Sequence, residues 1–484
     1  MKANQVFPVR LLGFGLYWAW LFLVTLSPSQ LFGSLVFFDV PFELVELGFR
    51  LAFIGAFLLL SAGISTNRGR NALVAISCLG GPLATGLIYY FSATPVMWVA
   101  VACAGLVDAS IFVLWLCFFG HLKVGETALY MTLSYCIGGV ICLLVQLLVN
   151  ETAVLVSMFL PAISGLMFHF SNRYYSSETG IAELFSEDDM ASVESTKEDQ
   201  YPYLTRLSVA LACCAFAFGV TASNLFFGGI TSVVSGSLVE SVCCVVLAVV
   251  CGGTMFYTKQ TTDLCLLYKV APVVLTLGAV ILLSGASGLS TVGVGLMQLG
   301  YLMFEITALN DYCIAAKQRG LRLVGTICCA RISITGGMLL GWIIGYAASK
   351  GAFIDPAFFT MSVVLVVVAV YPNFVFTAKE IVAARTTAVA QEAIERDEDK
   401  RESARNSFNS VLSCMAKEYK LSAREQEIAD FILHGRTVNY ISKQLFIAPG
   451  TVKTHMHNMY SKVGVHSKME LLDVFDEFKS KQEQ

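Results

Sequence analysis

The sequence predicts an all-α protein: a twelve-helix membrane bundle arranged six plus six, followed by a cytoplasmic domain of four short helices. Three observations carry that expectation. Over 484 residues the chain is 56% hydrophobic and only 14% charged, against about 45–50% and about 25% in ordinary soluble domains. Apolar stretches of membrane-crossing length recur up to about residue 378 and then stop. Beyond them lies a charged tail in which helix start and stop signals follow one another closely.

A hydrocarbon core of about 30 Å takes about 20 apolar residues as helix. Stretches that fit fall at 10–27, 44–64, 71–91, 95–119, 126–149, 152–170, 205–228, 233–256, 263–284, 288–310, 323–347 and 356–377. The first runs on past Trp18 and Trp20 with no small-residue cleavage site, so it reads as a span and not as a removed leader.

Lysine and arginine mark the cytoplasmic side of short loops. Lys2 and Arg10 precede the first span, and Arg68 and Arg70 follow the second. Lys123 follows the fourth, Arg173 the sixth, Lys259 the eighth, and Lys317, Arg319 and Arg322 the tenth. The intervening loops carry only Lys350. This alternation places both termini in the cytoplasm. The connection between spans six and seven is long and acidic, with Glu178, Glu183, Glu187, Asp188, Asp189, Glu194, Glu198 and Asp199. It reads as a solvated linker.

The expected domains are therefore 1–173 and 205–378 as the two membrane halves, 174–204 as the acidic linker, 379–417 as a helical connector, and 418–484 as the small domain. The connector is rich in alanine and then in alternating charge, from Glu395 to Glu402, which suits a helix.

Six plus six spans with a long cytoplasmic middle loop resemble the major facilitator superfamily of transporters. The segment Gly63-Ile64-Ser65-Thr66-Asn67-Arg68-Gly69-Arg70 is similar to that family's loop motif, G-x-x-x-D-R-x-G-R. Here Asn67 stands for the acid and one residue is missing. The resemblance implies a transporter-like bundle with a polar centre between its halves.

Ionisable side chains in hydrocarbon are costly and face the interior or a cavity. The candidates are Arg50, Asp108, Glu240, Glu305 and Arg331. A buried Glu–Arg pair serves either to hold the bundle together or to take a polar ligand or a proton. His169, near a span end, reads as interfacial. The aromatics of the spans, among them Tyr17, Trp18, Trp20, Trp115 and Tyr301, read as interface belts and lipid-facing surface, or as the lining of a site for a planar ligand. Gly337, Gly341 and Gly345 form a stripe for close helix approach, within the bundle or between copies.

Fifteen cysteines lie mostly in apolar runs, several as adjacent pairs, and serve as small hydrophobes. There is no CxxC and no Cys/His spacing suited to zinc. No cofactor or metal is expected. Phosphate-loop, nucleophile-elbow and HExxH patterns are absent, so an enzyme is not expected either.

The tail holds the densest signals. Ser422 and Glu425 make a capping box that opens a helix, and Gly435 closes it. Thr437 caps a short second helix holding Ile441 and Leu445. A turn follows at Phe446-Ile447-Ala448, and Pro449 suits the first turn of a third helix. In that helix Val452, Met456 and Met459 share one face, and Lys453, His457 and Tyr460 share another. Gly464 ends it, and Ser467 opens a fourth helix. A short helix, a tight turn and a longer helix form a helix-turn-helix, whose second helix enters the major groove of DNA. From Phe431 to Met469 there is no Asp or Glu, yet Arg436, Lys443, Lys453, Lys462 and Lys468 all fall there. The net charge of -3 hides this local basic surface.

The segment from Leu421 to about Val474 resembles LuxR/NarL-type DNA-binding domains. The matching residues are Leu421-Ser422-x-Arg424-Glu425, Gly435, Ile441, Leu445, Thr451-Val452-Lys453-x-His455, Asn458, Lys462, Gly464-Val465 and Glu470-Leu471. The resemblance implies that Lys453, Thr454, His455 and His457 face the groove. It implies that Thr451, Lys453 and Lys462 meet phosphates; Lys443 is a further basic candidate. It implies dimerisation through the fourth helix, around Met469 to Val474. Two positions depart from the pattern: Ala448 replaces a capping Ser, and Tyr440 a Glu.

Together these readings predict a membrane-bound, one-component transcription regulator that senses a small molecule through its bundle and binds promoter DNA with its tail. The alternative is a secondary transporter carrying a DNA-binding regulatory domain. A DNA-binding domain held at a membrane fits the inner membrane of a bacterial cell.

Overall fold

The computed structural model describes residues 12–26, 36–37, 40–91, 94–122, 124–179, 200–227, 236–258, 265–283, 289–318, 322–352 and 407–482. The expected twelfth span, most of the connector and the acidic stretch 180–199 lie outside the described residues. The chain divides into two compact units, Met1–Ala388 and Val389–Gln484.

The described part of the first unit is helical apart from a two-residue hairpin that pairs Val36 with Pro41 and Phe37 with Val40. Its helices are α1 (Gly13–Trp20, running into a π-helical turn Leu21–Leu26), α2 (Phe42–Leu59) and α3 (Asn67–Tyr90, with a π-helical turn at Ile76–Gly80). Then follow α4 (Val96–His121), α5 (Val124–Gln146), α6 (Asn150–Thr179), α7 (Gln200–Phe227), α8 (Gly236–Thr258), α9 (Cys265–Leu283), α10 (Ser290–Gln318) and α11 (Leu323–Ala347). Among the described residues, seven helices are long and apolar enough to cross a membrane. α2 also carries Glu43, Glu46 and Arg50, an expensive set that must be satisfied internally.

α4 is apolar all round and buried along most of its length, which is what a central helix requires. Leu59, Leu79, Leu147 and Val249 stand exposed on the outside, as a lipid-facing surface demands. The loop before α3 is built from local bonds. Thr66 caps the helix by accepting from the Gly69 amide at 3.1 Å, and Arg70 donates to the Asn67 side chain. Asn67 thus supplies a neutral acceptor where the transporter motif has an acid.

The glycine stripe packs inside the bundle. Any Cβ on Gly337, Gly341 or Gly345 of α11 would strike Ala212, Phe216 or Ser223 of α7. The aromatic expectation holds in part: Tyr90 and Trp98 stand exposed on the outer surface. Tyr17, Trp18, Trp20, Trp115 and Tyr301 are core residues, not an interface belt. Helices that are apolar on every face carry no sequence signal for which side turns inward.

The second unit has its own core and five described helices: α12 (407–418), α13 (Ala423–Leu433), α14 (Val438–Gln444), α15 (Pro449–Val463) and α16 (Lys468–Gln482). The capping box forms as read, with the Glu425 amide donating to the Ser422 hydroxyl at 3.3 Å and the Ser422 amide to Glu425 Oε2 at 2.7 Å. Gly464 closes α15 in the left-handed conformation, at φ 80°. The sequence counted four helices; α12 is the fifth. Val411, Leu412 and Met415 enter the common core, and the Phe408 ring packs 4.8 Å from that of Phe475 on α16.

A buried polar centre and a nucleic-acid interface

The membrane unit gathers ionisable side chains from distant helices. Asp108 of α4 is fully buried, accepts hydrogen bonds from two groups and pairs with a third. The Tyr17 hydroxyl of α1 donates to Oδ1 at 2.7 Å. Arg331 of α11 places Nη2 at 2.8 Å from Oδ1 and 3.0 Å from Oδ2. Arg50 of α2 places Nε at 3.2 Å from Oδ2. Arg50 also holds Glu46, one turn before it, at 2.6 Å. The Arg331 guanidinium lies 4.3 Å over the Phe112 ring, a geometry in which the ring face stabilises the cation. Two arginines and two carboxylates thus offset one another, which is what buried charge requires, while the buried Arg331 Nε has no hydrogen-bond partner among the described residues.

Glu305 of α10 sits apart from that quartet. Its carboxylate accepts from the Tyr135 hydroxyl of α5 at 3.2 Å and from the Tyr301 hydroxyl of α10 at 3.3 Å. Of the five sequence candidates, Arg50, Asp108 and Arg331 meet directly and Glu305 occupies its own aromatic setting. The Glu240 side chain lies outside the described residues. His169 is exposed within α6, which continues past it to Thr179. Sequence reading passed over Glu46 and took Tyr17 only as one of the span aromatics. The spacing of Glu46 and Arg50, four apart in an apolar run, was an available signal.

In the second unit α15 buries Val452, Met459 and Val463. Helical geometry therefore turns Thr451, Lys453, Thr454, His457 and Asn458 to solvent, with His455 half-buried. Lys443 is exposed in the last turn of α14. The scaffold beneath is pinned by two cations. Arg424 donates from Nη2 to the Leu445 carbonyl at 2.9 Å and so ties α13 to the turn. Lys462 places Nζ 2.6 Å from Glu425 Oε2 and donates to the Lys420 carbonyl at 3.3 Å, tying α15 to the start of α13. Burial pushes the Glu425 carboxyl up, but the hydrogen bonds from Lys462 and Ser422 outweigh it, and it titrates below its ordinary value. Tyr440, where the family pattern has Glu, lies 4.9 Å beneath the Arg436 guanidinium.

Residues 419–475 match the family described as bacterial regulatory proteins, luxR family. The tail is a LuxR-type helix-turn-helix domain. The same segment is 44% identical over 48 residues to a probable transcriptional regulatory protein NarL of Mycobacterium tuberculosis. It is 43% identical over 51 residues to the response regulator UvrY of Escherichia coli. These matches cover 10% of this chain and 22–23% of the relatives, so the chain spans less than a quarter of their length. The first unit is similar in fold to the human organic anion transporter MFSD10 (TETRAN), with a TM-score of 0.50 at 12% identity, over 76% of this chain and 100% of that one. A transporter-like membrane domain is therefore fused to the LuxR-type domain.

Within the LuxR-type domain the missing Ser is absorbed without a substitute cap. Ala448 makes no side-chain bond, and Pro449 supplies the first helical residue, whose absent N–H removes one orphan donor.

Proposed function

We propose that this chain is a membrane-bound one-component transcription regulator of the bacterial inner membrane. Its bundle of twelve spans keeps both termini in the cytoplasm and senses a small molecule. Its LuxR-type domain binds promoter DNA as a dimer through α16. Lys453, Thr454, His455 and His457 read the groove, and Thr451, Lys443 and Lys453 meet phosphates. The observation that carries this reading is the fusion itself: an acid-free helix-turn-helix surface on a chain whose other fold is a transporter's. Ligand binding shifts the bundle between two states only through unequal affinity for them. The Asp108–Arg331 contact, which joins α4 to α11, is where such states would differ.

The test is operator affinity of the full chain in nanodiscs, using its own upstream DNA, with and without candidate small molecules. A Lys453→Ala, His457→Ala variant should lose specific binding. Equal affinity across a broad compound panel would overturn sensing. Gradient-driven solute uptake by proteoliposomes would replace it with transport.

A further inference from the structure

We infer that the buried aromatic cluster around Glu305 is a binding site for an organic ammonium ion. The first ground is charge. Arg50 and Arg331 are matched by Glu46 and Asp108, whereas Glu305 has no basic side chain within ion-pair distance among the described residues. Two phenol donors hydrogen-bond it, and Arg331 and Arg50 act on it only from beyond ion-pair distance, so a cation or a proton at the carboxylate would complete its pairing.

The second ground is the wall. Tyr135 carries the Trp18 ring at 4.1 Å, and Tyr301 carries the Phe218 ring stacked at 4.5 Å. Aromatic faces beside a carboxylate stabilise an ammonium by their quadrupoles as well as by its charge. The third ground is an unmet donor. The Trp18 indole N–H is buried and has no hydrogen-bond partner among the described residues. It is one of several buried polar atoms without a partner among the described residues, and the one carried by the ring that packs on Tyr135; such a donor calls for an acceptor. A ligand with an ammonium at one end, an aromatic body and a hydrogen-bond acceptor meets all three conditions. The sites are drawn from α1, α5, α7 and α10, so occupancy bears on how these helices sit together.

The inference rests on the sensing reading for its purpose, not for its chemistry. The test uses the full chain in detergent with 2-phenylethylamine as probe. 3-Phenylpropionate and 2-phenylethanol are its anionic and neutral counterparts. Binding is read by equilibrium dialysis and tryptophan fluorescence. Saturable binding that prefers the amine is expected, about tenfold or more weaker in Glu305→Gln and retained in preference by Glu305→Asp. A size-exclusion profile and operator binding like the parent's show that the Gln variant is folded. No saturable amine binding, equal amine binding by Glu305→Gln, or preference for the acid or alcohol would overturn the inference. Amine binding without any change in operator affinity would leave the site standing and remove sensing. An anionic or neutral effector acting undiminished on Glu305→Gln would do the reverse.

Discussion

Arg331 and Asp108 stand 223 residues apart in sequence and meet at 2.8 Å in the core of the membrane unit, both almost wholly buried. The bond from Arg331 Nη2 to the Tyr17 hydroxyl, at 2.9 Å, spans 314 residues. The contact fastens α11 to α1 and α4. Removing one partner leaves a buried charge unmatched, which costs about 3–5 kcal/mol, whereas removing both costs much less. Asp108→Ala should therefore lower the thermal stability of the detergent-purified chain sharply. Adding Arg331→Ala should recover part of the loss. Additive losses in that double-mutant cycle would show that the pair is not coupled.

Lys453 and Lys462 lie on one helix, yet they should fail differently when removed. Lys453 is exposed; Lys462 is engaged with Glu425 and Lys420. Lys453→Ala should reduce the slope of log affinity against log salt by about one while leaving stability unchanged. Lys462→Ala should cost about 1 kcal/mol or less of stability, since the pair is partly open to solvent, and should change the salt slope less. Binding titrations at several salt concentrations, beside denaturant unfolding, separate the two.

The same pair sets a pH dependence. Because the Glu425 carboxyl is held below its ordinary value in the folded state, its contribution is complete above about pH 4.3 and is lost as pH falls below that through the folded value. Unfolding of a fragment of residues 404–484 at pH 7 and at acid pH should show this loss. Glu425→Gln should flatten it. An identical acid loss in that variant would assign the effect to other carboxylates.

Much of the tail was legible because its signals are local. Ser422 with Glu425, Gly435, Thr437, Pro449 and Gly464 each act within a turn of where they stand, and all five sit where the sequence put helix ends. The membrane centre was legible only as a set of expensive residues. That Asp108 would choose Arg331 depends on the packing of separate helices, which no local spacing encodes. Whether Tyr17 and Trp18 face lipid or the interior is open in the sequence for the same reason: α1 is apolar on all sides. The glycine stripe showed a close approach but not its partner.

Gly341 and Gly336 give a paired control for that approach. A Cβ on Gly341 would meet the backbone of Phe216 and Val220 in α7, whereas one on Gly336 reaches nothing nearer than Leu51 at 4.0 Å. Backbone cannot move aside as a flexible side chain does, and overpacking of this kind costs about 1–3 kcal/mol. Gly341→Ala should reduce yield and melting temperature, and Gly336→Ala should do neither. Equal tolerance would mean that α7 and α11 are further apart than the structure places them.

α12 extends the LuxR-type unit toward the membrane side of the chain, and its apolar face fixes where a soluble fragment must begin. Val411, Leu412 and Met415 are buried with Ile428, Ile432 and Phe475, and Phe408 also packs 4.4 Å from His434. Each such side chain contributes about 1.5–3 kcal/mol when fully buried, a large share of the roughly 5–15 kcal/mol that a domain holds in total. A fragment beginning at residue 404 should unfold cooperatively and bind DNA. One beginning at residue 418 carries the whole family match, residues 419–475, yet lacks this face, and it should unfold at markedly lower denaturant. Equal unfolding midpoints would make α12 an accessory to the domain and not part of its core. The expected difference would instead make α12 part of the domain's core, packed through Phe408 against Phe475 of α16.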